Sequence, residues 1–506
     1  MSQSTLNSVL PAESLFRQAL ARLLPLTVLG VGLALTAVFA YYAVASITTK
    51  LPITYPEGAH VAAIMRLRLG ESLYPAFLSY PLVITPYPPG LYLLGAIPAW
   101  LFSLDAYATT VVSRGLTLTS SVGVALLVAA LAQRESVSRL AAWSAAALFL
   151  PIPLLDHWGF SVRPDLPAIF LSLAAGWVLL RPANRTWLWL AGLLAGVALL
   201  TKLTAISMPM AAVLWLISRR RVADGATFSF WTLATLTLGG GFTLILSGGE
   251  ALGHIVIAHL NPLLSVEHAL QVFLELPTLA WFPFAAALVA LSLQISRRRI
   301  ELSGVYWLIT LGVGLYSLRG RGGDVNYLIE AAAATCWLAA HTLHVVWSHL
   351  RNGKLRFAGL AMLLAAASLV WGSQTLQFWR REGGVLSDRQ MPLAEIAATE
   401  SVLAEEPTMV LLAGKSLAVS DPFHLSMLQT AGRYDPDDLI QRIRRREYSL
   451  IVLRGDARQT RYINGQPKWP ESVRRAIAEY YVVSKRVDLY WLYVPDSPRP
   501  SRASGS

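Results

Sequence analysis

Apolar runs recur along this chain from residue 23 to residue 376, divided by short polar connectors. Many approach the roughly 20 residues that a helix needs to cross a bilayer core. The pattern predicts spans over 23–46, 108–132, 138–155, 164–181, 186–201, 203–217, 226–247, 278–295, 302–318, 325–348 and 355–378, about 11 in all. The first run has no small-residue cleavage pattern and is followed by many more, so it reads as a retained span and not a signal peptide. Lys202 alone separates the two short runs 186–201 and 203–217. Segment 88–103, PPGLYLLGAIPAWLFS, is apolar but opens on two prolines and is short for a span. It predicts an interfacial or re-entrant helix.

The pattern changes near residue 380, where polar residues take over. Strand-like runs TMVLLAG (408–414) and YSLIVLRG (448–455) flank a helix-like PDDLIQRIRRRE (436–447). Pro436 and two aspartates suit that helix start. A second helix over 470–481 and a strand pair through 482–494 complete a small α/β domain. The fold class expected is therefore mainly α, a polytopic membrane helical bundle with outer-face loops and a small C-terminal α/β domain. The divisions are a membrane module over 1–379, the α/β domain over 380–497 and a disordered tail over 498–506.

Charge gives the bundle an orientation. The chain is 55% hydrophobic and only 14% charged, with a formal net charge of +12. Its basic residues cluster in short connectors: RESVSR (134–139), RPANR (181–185), SRRRVAD (218–224), SRRRIE (296–301) and HLRNGKLR (349–356). Lys and Arg in short loops are retained on the cytoplasmic side, so topology and not nucleic acid accounts for the charge. Arg17 and Arg22 then hold the N-terminus inside, and segments 47–107, 156–165, 248–277 and 318–327 and the C-terminal domain lie outside. If 88–103 spanned, all of these connectors would flip outward. Cys336 is the one cysteine, so no internal disulfide can form.

The outer segments gather the candidate chemistry. Glu57 and Asp165 sit at span boundaries, where a carboxylate is costly to desolvate. With His60, Asp156, His157 and Arg163 they could do acid–base work or hold a divalent cation such as Mg or Mn. Arg319 and Arg321 lie in a Gly-rich stretch suited to a phosphate, and Lys202 is a third cation for it. Plainer readings stay open. Glu57 and Asp165 could each cap a helix, Arg163 could be an interfacial anchor, and His157 could be satisfied within its loop. Arg319 and Arg321 could be exceptions to the positive-inside pattern. His254, His259 and His268 have no ligand spacing and read as loop histidines.

The order of motifs adds a resemblance. A first span is followed by PEGAHVAAIMRLRLGESLYP, TPYPPGLYLLGAIPAWLFS, SRGLTLTSSVGVALLVAAL, RPDLPAIF, LAGLLAGVALLTKLTAISMP and GRGGDVNYLIEAAAA. Over roughly residues 20–350 this resembles the GT-C superfamily of polytopic glycosyltransferases, in the branch of protein O-mannosyltransferases and lipid A aminoarabinose transferases. The resemblance implies transfer of a sugar, hexosyl or pentosyl, from a polyprenyl-phosphate carrier to an acceptor hydroxyl on the outer face. Protein, lipid and glycan acceptors all fit, with membrane lipids around the enzyme. It places Glu57 as general base and Asp165 as the second acid, orienting the acceptor or a metal. Family members often carry an Asp-Glu pair where this chain has Pro56-Glu57, and some carry a lysine where it has Tyr87. The missing cation puts weight on Lys202, Arg319 and Arg321 for the phosphate, with His60, Tyr87, His157, Arg163, Asn326 and Tyr327 as the other binding candidates. Direct displacement would invert the anomeric centre. A lipid-linked sugar flippase or transporter would instead carry paired charges at mid-membrane and repeat symmetry, which this pattern lacks. A non-catalytic membrane scaffold is the remaining alternative.

Overall fold

The computed structural model describes residues 12–181, 185–260, 266–320, 322–352, 357–382, 390–460, 462–463 and 466–496. The first half contains α1 (Ala12–Ile47), α2 (Glu57–Arg68), α3 (Gly90–Leu101), α4 (Ala106–Arg134), α5 (Arg139–Ala146), α6 (Asp165–Leu179), α7 (Arg185–Leu199), α8 (Ser207–Ser218) and α9 (Val222–Leu246). Then come α10 (Ala251–Ile255), α11 (Val266–Phe273), α12 (Glu275–Leu279), α13 (Trp281–Ser296), α14 (Leu302–Ser317), α15 (Ile329–Arg351) and α16 (Ala358–Glu382). Among the described residues, 5 helices are long and apolar enough to cross a membrane, or 6 if the 91° bend between Val266–Leu279 and Trp281–Ser296 lies within one span. Shorter apolar helices of 10–17 residues stand beside them, among them Asp165–Leu179 and Leu302–Ser317.

Helix α15 is the axis of the bundle. It packs against α1, α4, α5, α13 and α14. Its run Ala331–Ala334 and the ring of Trp337 are fully buried. Alanines let neighbouring backbones approach closely, which is how helices associate where no water drives them together. Helix α9 lies at the other extreme and turns Phe230, Leu238, Phe242 and Ile245 outward. Helix α3 has 12 residues and exposes Leu93, Ile97, Trp100 and Leu101 on one side. That gives the helix one apolar, outward-facing side.

Two expectations are corrected. The stretch 138–155 is not one helix. Helix α5 stops at Ala146, and turns lead to a single 3₁₀ turn, Pro153–Leu155. Pro151 and Pro153 supply no N–H and crowd the preceding turn, and the freed Pro151 carbonyl accepts from Trp379 Nε1 at 3.0 Å. The run 408–414 is not a strand. After α17 (Leu393–Ala397), strand β1 (Val402–Ala404) precedes it and the run itself forms α18 (Pro407–Leu412). A proline preset for the first helical position outweighs the β-rich appearance of the residues behind it.

The remaining C-terminal elements are α19 (Pro422–Thr430), α20 (Asp437–Arg444), β2 (Leu450–Leu453), α21 (Glu471–Tyr480), β3 (Tyr481–Val487) and β4 (Tyr490–Pro495). Strands β1 and β2 pair in parallel with Leu403 opposite Ile451. Strand β4 runs antiparallel to both β2 and β3. A two-residue ladder of Tyr462–Ile463 with Gln466–Pro467 lies apart from this sheet.

The C-terminal part is seated on the segment between α2 and α3. Leu82 bridges Val419 in parallel. Leu82 N–H donates to Ala418 O at 2.9 Å, and Ser420 N–H donates to Leu82 O at 3.0 Å. Leu82, Ile84 and Ala258 share one apolar core with Leu403, Leu425 and Trp469. At the start of α2, a Cβ on Gly58 would stand 2.5 Å from the Thr408 amide nitrogen. Only glycine lets α2 meet α18 this closely. Gly58→Val is expected to cost about 1–3 kcal/mol through overpacking and to expose the C-terminal part to protease. Thermal unfolding in detergent with limited proteolysis checks this, and an unchanged melting temperature and digestion pattern would contradict it.

Candidate functional site

Glu57, at the start of α2, is tied into a buried knot. Glu57 and Arg114 are both fully buried. Arg114 donates to Glu57 from Nε at 2.9 Å and from Nη2 at 2.7 Å. Its other hydrogen bonds go to the carbonyls of Ser46, Ile47, Thr49 and Leu51. Glu57 also accepts from the backbone N–H of Ile53 at 2.8 Å and of Val162 at 3.0 Å. The expectation of a carboxylate standing open in a cleft is corrected: Glu57 lines neither of the cavities described below. Its partner Arg114 lies inside the run 108–132, and an arginine within an apolar span was the signal that this carboxylate would be claimed.

Beside the knot lies a cavity of about 290 Å³ lined from both parts of the chain. His60, Tyr87, His157, Arg163, Asn326 and Tyr327 all face it, as a common site requires. Asp165 and Lys202 line a much smaller cavity of about 20 Å³ that shares Asn326 and Tyr327 with the first. Arg319 lines neither cavity, although Gly322 and Asp324 of its loop reach the larger one. Arg321 lies outside the described residues.

Two cations share the Asp165 carboxylate. Lys202 Nζ donates to Oδ1 at 2.5 Å, and Asn326 Nδ2 donates to the same oxygen at 2.8 Å. Arg163 Nε lies 3.5 Å from Oδ2, and neither of these two buried atoms makes a hydrogen bond. The Arg163 guanidinium stacks on Trp158 at 4.6 Å and stands 6.0 Å from the Tyr87 ring centre. Lys202 lies over Tyr327 at 4.5 Å. Gly90 brings α3 against this turn, because a Cβ there would meet Thr201 Oγ1 at 2.4 Å. Burial of a guanidinium with unfilled donor capacity is expensive without a further acceptor. His60 adds a second unfilled group: it is 1% exposed, and its Nε2 has no hydrogen bond. Burial, with Arg163 nearby, lowers the His60 ring to about 3.

Sequence reasoning missed the opposite wall. Asp421 and His424, at the head of α19, also line the larger cavity. His424 Nδ1 lies 2.6 Å from Asp421 Oδ2. Asp421 Oδ1 accepts from Tyr55 Oη at 2.9 Å and from the His424 backbone N–H at 3.1 Å. Burial would raise this carboxyl, but the adjacent His424 ring and these hydrogen bonds hold it below the usual aspartate range. The string Asp421-Pro422 reads as a helix start; nothing in it announced the wall that it faces.

Glu57 and Asp165 do not fit a shared divalent cation. Glu57 is fully engaged by Arg114 and two backbone N–H groups, and Asp165 sits between Lys202 and Arg163. Among the described residues no three His, Cys, Asp or Glu side chains converge on a metal-sized space.

Residues 87–239 match the family of dolichyl-phosphate-mannose-protein mannosyltransferases. That stretch contains Tyr87, Arg163, Asp165 and Lys202 and stops short of Glu57 and the C-terminal part. No curated protein matches the chain in sequence. The fold resembles ArnT from Cupriavidus metallidurans bound to undecaprenyl phosphate, at 14% identity and a TM-score of 0.57, over 91% of this chain and 97% of that one. It also resembles the oligosaccharyltransferase of Archaeoglobus fulgidus in complex with Zn and sulfate, at 13% identity and a TM-score of 0.53, over 91% and 73%. The resemblance to the GT-C superfamily read from the motif order thus extends to the fold.

Two outcomes follow for stability. Glu57→Gln leaves the Arg114 guanidinium buried without its counter-charge, and a loss of about 3–5 kcal/mol is expected. Thermal unfolding in detergent reads it directly, and a wild-type melting temperature would contradict it. His60 is neutral in the fold but titrates near 6.5 when unfolded. The unfolded chain then binds more protons as pH falls below about 6.5, so stability drops from there toward the folded value of about 3. His60→Gln should flatten the melting-temperature slope between pH 6.5 and 4.5, and an unaltered slope would count against it.

Proposed function

We propose that this GT-C-fold chain is a membrane glycosyltransferase that moves a sugar from a polyprenyl-phosphate carrier to an acceptor hydroxyl on the outer face. The observation that carries this reading is the pair of cations, Arg163 and Lys202, sharing one carboxylate beside an open cavity. A phosphate monoester anion would fill the unused Arg163 donor and complete the charge. The ArnT structure with undecaprenyl phosphate supports a lipid-borne phosphate as that anion. So does the apolar outer side of α3, which would let a lipid chain reach Tyr87 at the cavity wall.

In this reading the membrane module is 1–379 with about 11 crossings, the N-terminus is cytoplasmic, and the domain 380–497 and tail 498–506 are extracytoplasmic. The phosphate is already a good leaving group, so the protein's task is to neutralise its charge as the bond to the sugar breaks. Arg163 and Lys202 do this, and Asp165 with Asn326 holds Lys202 in place. The acceptor oxygen attacks from the opposite side and the anomeric centre inverts. His60, Tyr87, His157 and Tyr327 supply the polar and aromatic surface for the sugar. A scaffold without catalysis is the second reading, favoured by the full engagement of Glu57.

The test is transfer of labelled sugar from undecaprenyl-phosphate donors by reconstituted protein. Arg163→Gln removes the charge and should lower kcat by about 10²–10³-fold and weaken undecaprenyl phosphate binding. Full activity in the variant would contradict the phosphate assignment. Absence of turnover in well-folded wild type with every polyprenyl-phosphate sugar would favour the scaffold.

A further inference from the structure

We propose that His424, held by Asp421, is the base that takes the acceptor's proton. The proposal rests on the transferase reading above and assigns a residue to the step that Glu57 is placed too deeply to perform. Three observations carry it. The 2.6 Å contact to Asp421 assigns the proton to Nδ1 and leaves Nε2 as the lone-pair nitrogen. Nε2 makes no hydrogen bond among the described residues, and the ring lines the cavity with 14% of its side chain exposed. Asp421 is itself immobilised by Tyr55 and by the backbone N–H of His424. Nucleophile activation needs such a base oriented by a third group.

The placement suits a displacement. The Arg163 guanidinium stands 6.0 Å from the Tyr87 ring, Tyr87 5.9 Å from His259, and His259 6.1 Å from His424, so a run of rings links the phosphate-binding cation to the base. All four residues line the same cavity, where the sugar would lie between the phosphate and the acceptor. As the acceptor oxygen bonds to the anomeric carbon, its proton passes to His424 Nε2. The carbon–oxygen bond to the phosphate breaks with its electron pair, which leaves as polyprenyl phosphate. Asp421 stabilises the imidazolium until its proton returns to water.

A second pair, Asp156 and His157, has a similar 2.8 Å contact. It sits at the rim, with 41% of the His157 side chain exposed, and its carboxylate has no Tyr55-like anchor in the described contacts. Depth and anchoring favour His424.

The experiment compares wild type, His424→Gln and His157→Gln in proteoliposomes with labelled sugars on undecaprenyl phosphate and water as acceptor. Azide, which attacks without losing a proton, serves as a second acceptor. His424→Gln should lose about 10²–10⁴-fold in hydrolysis while binding undecaprenyl phosphate as wild type does, and azide should restore turnover as glycosyl azide. Hydrolysis within threefold of wild type in His424→Gln overturns the assignment. So does a loss that azide leaves unrepaired, which would make His424 structural, or a loss confined to His157→Gln. An inactive wild type with intact fold would instead refute the transferase reading and the base assignment with it.

Discussion

The contact between Glu57 and Arg114 governs the end of the bundle where the cavity lies. Two charges are withdrawn from water, each at an effective cost of several kcal/mol. The cost is offset because no lone pair or proton is left over. The guanidinium gathers four carbonyls from the end of α1 and the chain after it, and the carboxylate gathers the N–H groups of Ile53 and Val162. One ion pair thus fixes where α1 ends, where α2 begins and how the loop before Arg163 is threaded. The cavity inherits its walls from that arrangement.

A division of labour follows. The acid that sequence position marks out for chemistry does structural work, and the groups with unspent valence lie around it. Arg163 Nε and His60 Nε2 are buried without partners. Both also border the larger cavity, which sets them apart from buried unpaired atoms such as Trp215 Nε1 and Trp337 Nε1 that do not. Arg163 and Tyr327 reach the cavity from the helical bundle and Asp421 and His424 from α19, so neither part encloses it alone.

Much of this was legible in the sequence because short-range chemistry determined it. The proline-rich approach at Tyr87, the RPD string at 163–165 and the lone Lys202 between apolar runs each marked a helix boundary, and Tyr87, Arg163, Asp165 and Lys202 line the two adjoining cavities. The orientation of Glu57 depends on Arg114, 57 residues on in the apolar run 108–132; the arginine was visible there, but its choice of partner was not. The run 408–414 misled because β-rich residues follow a proline that starts a helix. Asp421 and His424 were invisible for a different reason: their meaning comes from docking across the chain, and local patterning carries no record of that. Arg319 was misplaced because a glycine-rich loop leaves the direction of its side chains open.

The bond from Ile84 N–H to Ser420 Oγ joins positions 336 apart. On the ribosome the first of these emerges long before the second. At ordinary synthesis rates of about 5–20 residues per second, the interval is on the order of 20–70 s. Arg163 and Lys202 are made within that interval and then stand beside an unfinished wall until α19 follows. The cavity between the two parts of the chain therefore lacks one side through much of synthesis, and the segment carrying Asp421, Phe423, His424 and Met427 closes it.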